Sequence, residues 1–162
     1  MTTEEKLVTL LKKQNRHIAF AESCTAGLAV GALVDVPSAS AVLDASFVTY
    51  ANEAKMKYLQ VSPDTLEKYG AVSEQVAGEM AKGAAISAGA EVGVGISGIA
   101  GPEGGTEEKP VGTVCFGFYI DGRVSACRCA FGNLGRRSVR ESAVKFALKS
   151  VLMLLEKEEK NQ

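Results

Sequence analysis

The hydrophobic residues of this chain recur at the spacings of helices and strands. Leu7, Leu10 and Leu11 share one face of a helix predicted over residues 3–15, with lysines and glutamates around them. A short strand is predicted to follow over residues 17–21. Near the other end, a helix that ends near residue 157 has a predicted buried face, formed by Val144, Ala147, Leu148, Val151, Leu152 and Leu155.

The intervening pattern alternates in the same way. It predicts a helix from Leu28 to about Val34, a buried strand over 47–51, helices over 52–59, 63–69 and 73–89, a strand from Val92, and hairpin strands over 111–120 and 123–131. Asp121-Gly122 between the last two strands is a strong hairpin turn. Strand–helix–strand units with one hairpin near the end predict an α/β fold. We expect a three-layer α/β/α sandwich with a mixed sheet of about five strands, in one domain over residues 1–162.

Composition narrows the possible partners. The chain has 162 residues, 46% hydrophobic and 23% charged, with a formal net charge of -1. A charge near zero provides no general attraction to nucleic acid or to an anionic membrane, so neither is an expected partner. No apolar run is long enough to span a bilayer, and the first residues do not resemble a signal peptide. We therefore expect a cytoplasmic protein.

The cysteines and histidine do not suggest a metal centre. The four cysteines include no C-x-x-C pair, and His17 is the single histidine. These spacings do not match zinc sites, so we predict free thiols and no metal.

The turn after the first strand is a candidate ligand site. It carries the hydroxyls of Ser23 and Thr25, and Gly27 permits close approach of a ligand. A helix N-terminus presents unpaired N–H groups and the positive end of a dipole, which suits an anion such as phosphate. The alternative is that one hydroxyl only caps the helix.

A second candidate is the glycine-rich stretch over residues 92–102. Gly93, Gly95 and Gly98 match the spacing G-x-G-x-x-G, but they fall within the predicted strand and no helix follows, so dinucleotide binding is not indicated. The turn after the strand could aim N–H groups at a ligand oxygen, as an oxyanion hole or phosphate site requires. The polar loop over 103–110 is either a lid or a solvated connection.

Two further groups of residues suggest hydrolytic chemistry on an anionic substrate. Ser40, Tyr50 and Lys55 are the residue types of a serine–lysine hydrolase, in which a neutral lysine acts as the base. The alternative is a strand followed by a solvated lysine. Arginines at 136, 137 and 140 lie at the start of the last helix, where positive charge opposes the helix dipole, and this placement suggests an anionic partner.

Several motifs together resemble the nicotinamide-nucleotide amidase family, which is also the C-terminal domain of the competence/damage-inducible protein CinA. The motifs are Ala21-Glu22-Ser23-Cys24-Thr25-Ala26-Gly27, Phe47-Val48-Thr49-Tyr50-Ala51-Asn52-Glu53-Ala54-Lys55, Gly70-Ala71-Val72-Ser73, Ser97-Gly98-Ile99-Ala100-Gly101-Pro102, and Gly104-Gly105-Thr106-Glu107-Glu108-Lys109-Pro110-Val111-Gly112-Thr113-Val114. The resemblance runs from about residue 5 to 155 and makes residues 1–162 one amidase domain of this kind.

The resemblance implies hydrolysis of nicotinamide mononucleotide to nicotinate mononucleotide and ammonia, without a metal or cofactor. It implies a nucleophile at Ser40, a base at Lys55 and an assisting tyrosine at Tyr50. It also implies substrate binding by Ser23, Ser97 and Arg137. Thr25, Gly27 and Gly98 belong to the same predicted binding turns.

One geometric difficulty leaves alternatives open. A strand rises about 3.3 Å per residue, so an extended segment over residues 47–50 separates Ser40 from Lys55. Either the chain before Asp44 folds back, or the site is shared between subunits of an expected homodimer or larger homo-oligomer, or Ser23 is the nucleophile. A non-catalytic nucleotide-binding or regulatory module, linked to competence or the DNA damage response, is the alternative function.

Overall fold

The computed structural model describes residues 1–162 and contains six α-helices and five strands. The helices are α1 (Thr3–Lys13), α2 (Leu28–Val34), α3 (Asn52–Leu59), α4 (Pro63–Tyr69), α5 (Glu74–Ala88) and α6 (Arg136–Lys160). The strands are β1 (Ile18–Glu22), β2 (Phe47–Val48), β3 (Val92–Gly98), β4 (Thr113–Ile120) and β5 (Arg123–Ala130). None of the helices combines the length and apolar character needed to cross a membrane.

The five strands form one mixed sheet in the order β2-β1-β3-β4-β5. Strand β1 runs parallel to β2 and β3, whereas β4 is antiparallel to both β3 and β5. Helix α5 packs across β1, β3 and β4, and α3 packs on α5. Helices α1, α2 and α6 pack together, with α2 and α6 also contacting the sheet. The predicted three-layer α/β/α fold with a mixed sheet is confirmed.

The main core lies between the sheet and the layer of α1, α2 and α6. The predicted apolar stripe of α1 is buried there, and so is the predicted face of α6. Phe20 and Phe116 contribute the largest fully buried side chains from the sheet. A smaller cluster, which includes Met80, fills the space between the sheet and α5.

Glycines allow α5 to approach the sheet closely. A Cβ atom added at Gly93 would stand 2.0 Å from the carbonyl oxygen of Ala81, and one at Gly117 would stand 2.1 Å from that of Ala77. Real side chains do not tolerate such distances. Gly93 therefore serves helix–sheet packing, which agrees with the absence of a dinucleotide-binding context.

The buried strand predicted over residues 47–51 is wrong in length and burial. Only Phe47 and Val48 are extended in the sheet, and Val48 is 54% exposed. Strand β2 is an edge strand that pairs with β1 alone. Beyond it, the Thr49 N–H still donates to the Glu22 carbonyl at 2.9 Å, but the carbonyl groups of Thr49 and Tyr50 accept hydrogen bonds from the side chain of Lys55.

Candidate active site

A cleft of about 280 Å³ lies where the neighbouring parallel strands β1 and β3 end. Its walls are the turn after β1, the glycine-rich turn after β3, residues 71–72 and the start of α6. Ligands of α/β sheets commonly bind at the carboxyl ends of such strands. A larger cavity of about 530 Å³ lies between β5 and α6. We place the site in the smaller cleft because a buried lysine meets a serine hydroxyl there.

Lys55 is the unusual residue of this cleft, because its side chain is only 1% exposed. Its Nζ atom lies 3.0 Å from Ser23 Oγ, 2.7 Å from the Thr49 carbonyl oxygen and 3.0 Å from the Tyr50 carbonyl oxygen. Helix α3 begins at Asn52, and its first turn carries Lys55 back toward the residues just before it. The alternative of a solvated lysine is wrong.

The three partners of Lys55 suit both protonation states of its amine. None of them is a carboxylate, and burial lowers the pKa of Lys55 from its ordinary value. A neutral amine can donate its two N–H groups to the carbonyls of Thr49 and Tyr50, which leaves its lone pair for the Ser23 hydroxyl. An ammonium can donate to all three oxygens. The pair can therefore pass a proton between Ser23 and Lys55.

Ser23 is held by the turn that follows β1. Its backbone N–H donates to the Ile96 carbonyl at 3.0 Å, and its carbonyl accepts from the Ala26 N–H at 3.1 Å. Cys24 lines the cleft beside it, but burial raises the pKa of that thiol to about 11. The Cys24 thiol is therefore protonated near neutral pH, and the serine is the better-placed nucleophile.

At the start of α2, where the sequence suggests an anion site, the chain places a carboxylate of its own. The buried carboxylate of Glu22 accepts the backbone N–H groups of Ala29 at 2.8 Å and Val30 at 3.0 Å. The chain thus supplies its own anion. Thr25 is buried with an unpaired hydroxyl, and Gly27, at φ 99°, begins the helix outside the cleft. Their substrate-binding roles stay predictions.

Ser97 and Gly98 do line the cleft. The Ser97 hydroxyl donates to the Ala71 carbonyl at 2.7 Å, which joins the end of β3 to the segment before α5. Glu103 and Gly104, at the start of the long loop between β3 and β4, also reach the cleft. The binding roles of Ser97 and Gly98 stay predictions.

The cleft contains Arg136 rather than Arg137. Arg136 donates to the Gly101 carbonyl at 2.8 Å and to the Tyr50 hydroxyl at 3.1 Å. Arg137 is one residue further along α6, about 100° around the helix. Its side chain is 64% exposed and pairs with Glu141 at 2.8 Å. The sequence placed Arg136 in the group of arginines that suggests an anionic partner, but the resemblance assigned substrate binding to Arg137. Arg136 is exposed and shares a face of α6 with the buried Val139 and Ala143.

Ser40 lies near the start of β1, whereas Lys55 lies near the end of that strand. It is exposed, in a single turn of 3₁₀ helix over Ala39–Ala41. The carbonyl of Val42, just after this turn, accepts from the N–H of Ile18 at 2.8 Å, so the turn borders the start of β1. Ser23 follows the end of that strand, roughly 13 Å away at the usual rise per residue. The structure brings Ser23, Tyr50 and Lys55 together and leaves Ser40 out. No three His, Cys, Asp or Glu side chains converge to hold a metal ion.

The chain belongs to the CinA C-terminal domain family, whose model matches residues 1–155. It is 52% identical over 143 residues to nicotinamide-nucleotide amidohydrolase PncC of Enterobacter agglomerans, covering 88% of this chain and 87% of that protein. It is 48% identical over 145 residues to a CinA-like protein of Kosmotoga olearia, which is 90% of this chain but 35% of that relative. The chain thus spans about a third of the longer relatives.

Solved structures of the same superfamily share the fold. The competence/damage inducible protein CihA of Agrobacterium tumefaciens has a TM-score of 0.89 at 40% identity, with 95% of each chain covered. The CinA superfamily protein of Enterobacter cloacae has a TM-score of 0.91 at 37% identity, covering 94% of this chain and 90% of that one.

Proposed function

We propose that this protein hydrolyses the carboxamide of nicotinamide mononucleotide to nicotinate mononucleotide and ammonia, with Ser23 as nucleophile and Lys55 as base. The observation that carries the proposal is the 3.0 Å contact between the buried Lys55 amine and the Ser23 hydroxyl. The similarity to a protein named nicotinamide-nucleotide amidohydrolase supports the substrate. Ser23 was one of the alternatives that the sequence left open, and it replaces Ser40 in the proposal.

The proposed reaction proceeds through an ester of Ser23. Neutral Lys55 takes the hydroxyl proton while Ser23 Oγ attacks the carboxamide carbon, so that a tetrahedral oxyanion forms. Lys55, now an ammonium, returns the proton to the leaving nitrogen, and ammonia departs. A water then attacks the ester with Lys55 again as base, which releases the carboxylate and restores the serine.

The cleft also has groups for the rest of a mononucleotide. Arg136 offers a guanidinium at the mouth of the cleft for the phosphate, and Tyr50 offers an exposed ring and hydroxyl next to it. The 3.1 Å hydrogen bond from Arg136 to the Tyr50 hydroxyl supports a shared role of these two side chains. We therefore assign Tyr50 to substrate positioning together with Arg136.

The direct test is ammonia release by purified protein from nicotinamide mononucleotide, compared with the riboside that lacks the phosphate. We expect turnover of the mononucleotide, weaker use of the riboside, and no loss of turnover with a chelator. A chelator-sensitive activity restored by zinc would contradict the mechanism. Binding of the mononucleotide without ammonia release would instead support the non-catalytic regulatory role.

A further inference from the structure

Arg140 contacts the back of the turn that carries Ser23. Its Nε atom donates to the Cys24 carbonyl at 2.8 Å, and a terminal guanidinium nitrogen donates to the Thr25 carbonyl at 3.3 Å. The side chain is half-buried and forms no salt bridge, since every ion pair of the chain involves other residues. Its charge is therefore turned toward two peptide groups and not toward a carboxylate.

Because a peptide group is planar and trans, the contacts of Arg140 with two carbonyls also set the direction of the adjoining N–H groups. In such a unit the N–H group points opposite to the C=O group. Because the Cys24 carbonyl faces Arg140, the N–H of Thr25 faces away from Arg140. The Cys24 N–H is not bonded to another residue of the chain, and Cys24 lines the cleft, whereas Thr25 is fully buried and lies outside the cleft. The Cys24 N–H belongs to the residue directly after Ser23, where an oxyanion would need donors.

The turn also contains backbone that is unfavourable by itself. Ala26 has φ 47° and Gly27 has φ 99°, and the left-handed region is costly for an alanine. Such a conformation persists when the surrounding structure holds it. Arg140 is the side chain that bonds to the two carbonyls just before Ala26. Burial raises the pKa of Cys24 to about 11, whereas the positive charge of Arg140 lowers this pKa. The charge of Arg140 therefore acts on the residues of the turn.

We propose that Arg140 is a positioning residue for acyl transfer: it holds the Ser23–Thr25 turn so that the N–H group of Cys24, which lines the cleft, can receive the oxyanion. The inference rests on the proposed function, because it assigns an oxyanion donor of that reaction. Arg140 acts through the turn, whereas Arg136 of the same helix reaches the cleft itself.

The test compares Arg140→Met, which keeps an unbranched apolar stem but removes the guanidinium and its donors, with Arg140→Lys. Removing an oxyanion donor commonly costs about 100- to 1,000-fold in kcat. For a mispositioned turn we expect Arg140→Met to lower kcat about 10- to 100-fold with KM within about twofold. Arg140→Lys should retain more activity, and added guanidinium should partly rescue Arg140→Met whereas equal sodium chloride should not. Lys149→Met, which removes an exposed cation of α6, is the matched control and should behave as wild type.

The outcomes separate this inference from the proposed function. If Ser23→Ala abolishes turnover but folded Arg140→Met keeps its kcat, the positioning role is wrong and the serine mechanism stands. If Arg140→Met only lowers the melting temperature, with unchanged kcat per folded molecule, the role is structural and the inference is also wrong. If Ser23→Ala remains active, the proposed function itself fails. Where Arg140→Met does not fold, Arg140→Lys decides: wild-type kcat would overturn the positioning role, and reduced kcat at unchanged KM would support it.

Discussion

At the scale of single residues, the proposed chemistry depends on Lys55, because its burial affects its charge. A lysine in solution titrates near pH 10.4 and is protonated at neutral pH. Burial lowers the pKa of Lys55, and its partners are two carbonyls and a hydroxyl, none of which bears a charge. The residue types in the sequence suggested a neutral lysine, but the required burial depends on the tertiary contacts that bring Lys55 against Ser23 and the carbonyls of Thr49 and Tyr50.

The pH dependence of turnover follows from this lowered pKa. Only neutral Lys55 can accept the Ser23 proton, so kcat/KM should rise with pH through the folded pKa of Lys55, below the ordinary lysine value. A rate profile over pH 6–10 measures it. Lys55→Arg keeps a charge that does not titrate in this range, and it should lose both the rise and roughly 100-fold or more in turnover. A profile that falls as pH rises would contradict the base role.

The same residue should make stability depend on pH. The folded pKa of Lys55 is lower than its unfolded pKa, so the unfolded chain binds more protons between these two values. The cost of burying Lys55 is therefore absent above the unfolded pKa and grows as pH falls toward the folded pKa. The free energy of unfolding should rise with pH across this window, and Lys55→Met should remove that slope in denaturant titrations. An identical slope in the variant would contradict the lowered pKa.

The two neighbouring arginines test the substrate assignment. Arg136→Ala should raise KM for nicotinamide mononucleotide about 10- to 150-fold, because a hydrogen bond to a charged group contributes about 1.5–3 kcal/mol. Arg137→Ala is the matched control, since its side chain pairs with Glu141 at the surface. Steady-state kinetics on both variants shows which of the two arginines contributes to substrate binding. A raised KM for Arg137→Ala alone would restore the assignment made from the sequence.

At the scale of elements, the helices and strands of the large core followed from hydrophobic spacing. The stripes of α1 and α6 and the Asp121-Gly122 hairpin matched because each is a local pattern with one compatible structure. Strand β2 did not match. Its β-branched and aromatic residues indicate a strand, but the sequence does not show that the next two carbonyls bond to the side chain of Lys55 and not to a neighbouring strand.

The close packing of α5 on the sheet yields a stability prediction. Gly93→Ala should lower the free energy of unfolding by about 1–3 kcal/mol or more, because its Cβ would overlap the backbone of Ala81. Gly31→Ala is the matched control, since an added Cβ there meets nothing within 4 Å in the interior of α2. It should raise stability by about 0.5–1 kcal/mol. Denaturant unfolding measures both, and equal effects would contradict the packing account.

At the scale of the whole molecule, the topology explains why Ser40 was assigned the wrong neighbourhood. Residues 38–46 return along the sheet from α2 to β2, so Ser40 borders the start of β1 while Ser23 follows its end. The order of elements in the sequence was sufficient to predict the fold class. It did not show which loops lie together at the same end of the strands. Because Ser23 and Lys55 meet within one chain, the proposed reaction needs no second copy, and the expected homo-oligomer stays a prediction.

Ser23, and not Ser40, is the proposed nucleophile, and a paired comparison of turnover distinguishes the two serines. Ammonia release from nicotinamide mononucleotide should fall roughly 1,000-fold or more in Ser23→Ala, as expected when a nucleophile is removed. Ser40→Ala should turn over within about twofold of wild type, because Ser40 is exposed and lies outside the cleft. Circular dichroism and melting temperatures should confirm that both variants fold. An active Ser23→Ala together with an inactive, folded Ser40→Ala would contradict the account.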